Sequence, residues 1–244
     1  MHTFDLRHLF HLHRKKISLT CLFSGLVIAS FAQALHQADY DAKKVRFGYL
    51  LGVAQTHYKI RYNEFFLLPG NQNYFSITSP TTYALKMGGV MNVRVNEQWD
   101  FRILPTVAIY SRALDVVQAS TTERFQNEDK AWFELPAYFK YKSNRRDNIR
   151  MYFLGGFRFG TETNAVNFNG RRSALNQFVI RKSDFALEYG FGLELFQQYF
   201  KLTPEVVFSH GLPNLVQPGF SASTPLGSIQ RLNTRGISLH LIFE

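Results

Sequence analysis

The chain is nearly free of cysteine: of its 244 residues only Cys21 is one, and it falls in a segment that reads as a leader. The rest of the protein is therefore expected to have no thiol chemistry, no disulfide and no cysteine-ligated metal site. Long hydrophobic runs are scarce too. The stretch "ISLTCLFSGLVIAS", beginning at Ile17, is too short to span a bilayer comfortably as a helix, and no later segment carries a convincing helical stripe. No glycine loop has the spacing of a phosphate cradle; "YGFG" and "FLGG" read as places where a strand bends or closes tightly. Acidic residues are few, 18 against 28 basic, for a formal net charge of +10. That surplus invites a nucleic-acid reading, but the basic residues are scattered through strands and turns and no nucleic-acid motif accompanies them, so no such partner is expected.

Hydrophobic residues make up 45% of the chain, which excludes wholesale disorder. Aromatics reach 16%, with 24 Phe and 12 Tyr, a level that fits a surface needing aromatic girdles. Residues 1–32 have the form of a secretory signal peptide: the basic "HRKK", the apolar run, then small residues in "ASFAQA" with cleavage near Ala32. Arg7, Arg14, Lys15 and Lys16 against Asp5 would take +3 of the net charge with them, and His8, His11 and His13, which mimic a metal cluster, would leave too. The expected organisation is a leader over 1–32, a periplasmic N-terminal segment over 33–44 and one β-domain over 45–244.

Within that domain the apolar periodicity is two almost everywhere, the signature of strands whose alternate side chains face opposite ways. Eight strands are expected. The first, about 45–60, places Val45, Phe47, Tyr49, Leu51 and Val53 on one face. The second, about 82–95, opposes Tyr83, Leu85, Met87, Met91, Val93 and Val95 to Lys86, Asn92 and Arg94. "WDFRILPTVAIYSR" opposes Trp99, Phe101, Ile103, Val107 and Ile109 to Arg102, Thr106, Tyr110 and Arg112, and "AWFELPAYFKYK" opposes Phe133, Leu135, Phe139 and Tyr141 to Glu134, Tyr138 and Lys140. In "IRMYFLGGFRFG" the faces are Ile149, Met151, Phe153, Phe157 and Phe159 against Arg150, Tyr152, Leu154, Gly156 and Arg158. The last three strands repeat the pattern, with Asp184, Glu188 and Glu194, then Lys201, Thr203, Glu205 and Ser209, then Ser238 and His240 on their polar sides.

Connections alternate short and long. Turns near Glu97, within "SNRRDN" and near Gln198 are tight, whereas 61–81, 116–130, 163–182 and 210–232 are long. Short periplasmic turns, long extracellular loops and an even strand count describe an all-β, eight-stranded antiparallel up-and-down transmembrane β-barrel of the outer membrane, with both mature termini periplasmic. A soluble cup with its apolar face inside is the competing closed sheet. Charge decides between them. Arg or Lys on a lipid-facing site at midplane costs about 2–4 kcal/mol, so Lys86, Arg94, Arg102, Arg112, Lys140, Arg150, Arg158 and Lys201 belong inside with Glu134, Glu188, Glu194 and Glu205, as a structural charge network. Arg150 and Arg158 are expected to pair with glutamates such as Glu188 or Glu194. At eight strands the interior is filled by side chains, so a diffusion pore is not expected.

Catalytic readings are weak. Ser238 and His240 share a face but point into the packed lumen, and Ser209 and His210 point to opposite faces, so neither forms a nucleophile and base open to substrate. Glu188 and Glu194, roughly 20 Å apart along one strand, are too far separated for a glycosidase pair. No catalytic residue, cofactor or metal is expected. Lys142, Arg145 and Arg146, in the basic turn after the fourth strand, form a candidate periplasmic docking surface for an acidic partner.

"WDFRILPTVAIYSRALDV", "FELPAYFKYKSNRRDNIRMYFLGGFRFG" and "LTPEVVFSHGLPNLV", in that order, resemble the PorT/SprT family of outer-membrane proteins of the type IX secretion and gliding apparatus. The resemblance covers roughly 44–244. It implies a non-enzymatic barrel required for exporting cargo that bears a C-terminal sorting domain, with other secretion components as partners, and it transfers no site residues. "EFFLLPG" and "LPNLVQPGF" could contact such components or fold over the barrel mouth. The last strand, from Thr234 to the near-terminal Phe243, resembles the signal read by the barrel assembly machinery. Rival readings are a small structural or adhesion barrel of the OmpA/OmpX kind and a lipid-modifying barrel enzyme.

Overall fold

In the computed structural model the described residues are 36–64, 76–117, 122–126, 130–163, 181–216 and 228–244. The expected leader and most of "EFFLLPG" lie outside them. One compact unit runs Gln37–Glu244. A 3-10 helix, η1 (Ala38–Ala42), precedes twelve strands: β1 (Val45–Tyr62), β2 (Ser76–Thr78), β3 (Thr82–Arg94), β4 (Trp99–Ile103), β5 (Thr106–Tyr110), β6 (Ala113–Val117), β7 (Thr122–Gln126), β8 (Lys130–Lys142), β9 (Ile149–Thr163), β10 (Ser183–Phe196), β11 (Lys201–Gly211) and β12 (Ile229–Phe243).

Every pairing is antiparallel, and the order β1-β12-β11-β10-β9-β8-β4-β3 returns to β1 because β1 also pairs with β3. β5 continues β4 between the same two neighbours, β3 and β8, so the ring has eight staves, each expected from the alternation. The break inside that stave falls at Leu104 and Pro105. Proline has no N–H to give the ladder. Backbone bonds from Gly89 to the Pro105 carbonyl and from Leu104 to the Pro136 carbonyl, both 3.0 Å, keep the two pieces in line. Gly88 lies against this kink, where a Cβ would strike the Pro105 carbonyl oxygen. Closure satisfies the edge hydrogen bonds that hydrocarbon could not.

The two faces separate as their chemistry requires. Outward-facing Phe47, Tyr49, Tyr83 and Phe153 are 71%, 76%, 72% and 63% exposed. Their inward neighbours Leu50, Tyr152 and Leu154 are buried, together with the charged residues described below. So much contiguous apolar surface is untenable in water and suits a bilayer.

Two of the expected long loops carry structure of their own. β2, from the 61–81 segment, pairs with β6, which pairs with β7 in the 116–130 segment, as a small separate sheet. Runs of three to five residues are too short for their alternation to stand out from loop sequence. What orders them is tertiary: Ile77, Leu114 and Val116 are buried with Tyr58, Leu215, Ile229 and Leu232 in an apolar cluster at the long-loop end. "LPNLV" thus folds inward, Leu215 being fully buried.

Candidate functional site: an ion-paired lumen and its two mouths

Nine basic side chains are buried among the described residues: Arg46, Lys86, Arg102, Arg112, Lys140, Lys142, Arg150, Arg158 and Lys201. Six buried carboxylates face them: Asp100, Glu134, Asp184, Glu188, Glu194 and Glu205. Glu244 and the partly exposed Asp41 add two more. The interior is therefore close to neutral, the condition under which buried ions are tolerated.

Toward the long-loop end, Arg158 is the hub. Its guanidinium reaches Glu134 Oε1 at 2.6 Å, Glu188 Oε1 at 2.8 Å and Asp184 Oδ2 at 3.2 Å. Lys86 reaches Glu134 at 2.8 Å, the Tyr110 hydroxyl donates to Glu134 at 2.6 Å, and the Tyr138 hydroxyl donates to Glu188. The planar, five-donor guanidinium is the group suited to bridging three carboxylates. Arg112, just beyond, makes no ion pair among the described residues; it stacks over Tyr110 at 4.2 Å and Trp132 at 4.9 Å, held by cation–π attraction.

At mid-height Arg102 bonds Glu205 at 2.6 Å and Asn92 at 2.7 Å, and the Tyr152 hydroxyl donates to Glu205 at 2.6 Å. Toward the short turns Glu194 is shared by Lys140, Arg150 at 2.5 Å and Lys201 at 2.9 Å. Strand register produces this: Glu194 lies directly opposite Arg150 across β10 and β9, and cross-strand neighbours are within reach of one another.

The short-turn mouth is occupied by η1 and the Glu244 side chain. Asp41, in η1, accepts from Arg150 at 2.9 and 3.0 Å, while Tyr40 packs edge-on against Phe196, centroids 5.5 Å apart. Arg94, which is only partly buried, donates to the Asp41 backbone carbonyl rather than to a lumen carboxylate. The Glu244 side chain, just after β12, bonds Lys201 at 2.6 Å and Asn92. Burial pushes the Tyr40 phenol up. Burial also opposes ionisation of Glu244, but Lys201, Arg102 and Lys140 overcome it and hold the carboxyl at about 2. Burial likewise works against Asp41, where Arg150 prevails and keeps it below the ordinary carboxylate range.

The basic turn is rearranged relative to its expected form. Lys142 does not present itself there; it is buried and bonds Asp100 Oδ1 at 2.7 Å. It shares the inward parity of Lys140, so its period already pointed inside. Arg145 folds back, donating to Asn148 at 3.0 Å and lying 3.8 Å over the Phe196 ring. Arg146 is exposed.

Asp41, Arg46, Asp100, Asp184 and Glu244 complete the network beyond the expected set. Arg46, Asp100 and Asp184 carry a legible signal, because each sits on the polar parity of its strand. Asp41 and Glu244 lie outside any strand and have none. Of the catalytic candidates, Ser238 and His240 are both buried, with His240 Nδ1 3.1 Å from Glu205. His210 stacks on Tyr189 while Ser209 faces inward. Such an arrangement builds a rigid core; it offers a substrate no open approach.

Solved structures similar to this chain include the outer membrane protein OprG from Pseudomonas aeruginosa, at 10% identity over 82% of this chain and 94% of that one, TM-score 0.46. Neisserial surface protein A is similar at 8% identity over 82% and 98%, TM-score 0.43. The attachment invasion locus protein Ail of Yersinia pestis is similar at 12% identity over 82% and 98%, TM-score 0.33. No curated protein matches the sequence. A family model does match, over residues 31–217, and with an inverted, ion-filled antiparallel cylinder beside it the chain belongs to the outer membrane protein beta-barrel domain family.

Proposed function

We propose that this outer-membrane barrel is a non-enzymatic accessory component of type IX protein secretion, working through its rims rather than through a pore. The observation that carries the non-conducting part is the lumen itself: side chains from all eight staves fill it, an apolar cluster covers one end and η1 with Glu244 the other. A protein built this way acts by what it holds. The secretion role is supported by the ordered succession of segments that resemble the PorT/SprT family. On this reading residues 1–32 are removed on export, both mature termini are periplasmic, and the assembly machinery reads the strand ending at Phe243. Arg146 and the turn around it are the periplasmic surface offered to another secretion component.

Deleting the gene and measuring secreted cargo tests this. Loss of cargo bearing the C-terminal sorting domain, restored by the wild-type gene, is expected; undiminished export overturns the reading. Arg146→Glu, which leaves the buried network untouched, is expected to reduce recovery of the partner in pull-downs at unchanged surface level. One observation favours the structural or adhesion alternative: β2, β6 and β7 form an ordered sheet at the long-loop end, a platform suited to contacts outside the cell. A deletion strain that secretes normally but attaches poorly would select it.

A further inference from the structure

The lumen is close to neutral, so the positive surplus of the chain lies elsewhere, and part of it is gathered on the outer wall. Lys59 and Arg61 of β1 and Arg231 and Arg235 of β12 are exposed and line, with His210 of β11, a groove of about 510 Å³ at the long-loop end. Register makes the crowding explicit. Arg61 lies directly opposite Arg231, and Arg235 has His57 on one side and His210 on the other. Like charges placed across a ladder repel. None of the four cations forms an ion pair among the described residues; in sequence the segment following β1 carries a single carboxylate, Glu64, and 217–227, which leads into β12, carries none.

Directly toward the barrel midplane the same wall becomes apolar: Val53, Ile237 and Leu239 are 53%, 48% and 52% exposed. Cations above and hydrocarbon-compatible surface below match an amphiphile with an anionic head. Arginine forks suit phosphate oxygens, and desolvation at a membrane boundary strengthens the contact. We propose that this groove binds the phosphate-bearing headgroup of a membrane lipid, its acyl chains lying along the Val53, Ile237 and Leu239 strip. Bound phosphate would also relieve the repulsion between the facing arginines, so the lipid would stabilise the seam where the first and last strands meet.

The test uses the full-length protein purified in a nonionic detergent and three probes: bis-phosphorylated lipid A, the same lipid with its phosphates removed, and inorganic phosphate. Binding is read by native mass spectrometry and by the shift in unfolding temperature. The phosphorylated lipid is expected to bind and stabilise, and the dephosphorylated lipid to bind at least about tenfold more weakly. Arg61→Gln with Arg235→Gln is expected to weaken binding roughly 30-fold, at about one surface charge's worth per residue. Lys43→Gln with Lys44→Gln, at the opposite end, is expected to change nothing. Equal binding of the two lipids, equal loss in the control variant, or displacement of the lipid by equimolar inorganic phosphate would each overturn the proposal. The two-lipid comparison on unaltered protein decides the matter even if the arginine variant fails to insert.

Discussion

At the scale of single residues, the interior separates charges that are shared from charges that are merely housed. Removing Arg158 leaves Glu134, Glu188 and Asp184 without their common partner. Stripping one member from a buried ionic cluster typically costs about 3–5 kcal/mol, so Arg158→Met is expected to destabilise by about that much in urea unfolding from detergent micelles. Arg112 makes no ion pair among the described residues. It forfeits cation–π contacts with Tyr110 and Trp132 but also sheds the desolvation cost of a buried cation, so Arg112→Met is expected to fall within about 1 kcal/mol of the wild type. A ranking of the two variants by the same urea titration checks the assignment of roles.

Elements show their roles at their ends and on their faces. Phe153, in the middle of β9, faces outward and is 63% exposed, whereas Tyr152 beside it is buried. Phe153→Arg is expected to cost about 2–4 kcal/mol in unfolding from lipid vesicles, the charge for a cation on the lipid face. η1 depends on ionised carboxylates. Asp41 and Glu244 ionise more readily folded than unfolded, Glu244 falling from the ordinary 4.5 to about 2. A group with a lowered folded pKa contributes stability above its unfolded value and loses it as pH falls through the folded one. The short-turn mouth is therefore expected to loosen between about pH 4.5 and about pH 2, seen as faster amide hydrogen exchange around Tyr40 while the mid-barrel strands stay protected.

For the whole molecule, the decisive property is that the described lumen residues are buried and bonded to one another across the barrel. Cations and carboxylates nearly balance among the described interior residues, the apolar cluster of Ile77, Leu114 and Leu215 lies toward one mouth, and η1 with the Glu244 side chain lies at the other. Planar bilayers containing the purified protein are expected to show no current steps above the lipid baseline; well-defined steps would mean that the lumen empties in a membrane. On the proposed function, the surfaces that act are the rims and the outer wall, with the basic turn at one end and the cationic groove at the other.

Much of this was legible beforehand because a strand's period is strict. Once Phe153 faces lipid, Arg150 and Arg158 face the lumen, and the same count carries Arg46, Lys142 and Asp184 inside. The strand number and the sidedness of charge were thus set locally, by alternation and by the penalty for a cation in hydrocarbon. Which charges meet was not. That Arg158 serves three carboxylates, that Lys142 leaves its turn for Asp100, and that Arg61 stands against Arg231 follow from register and closure, which bring together residues from opposite ends of the chain. Asp41 and Glu244 are the clearest cases: no periodicity governs a residue outside a strand, and only the closed ring creates the mouth that gives each of them a partner.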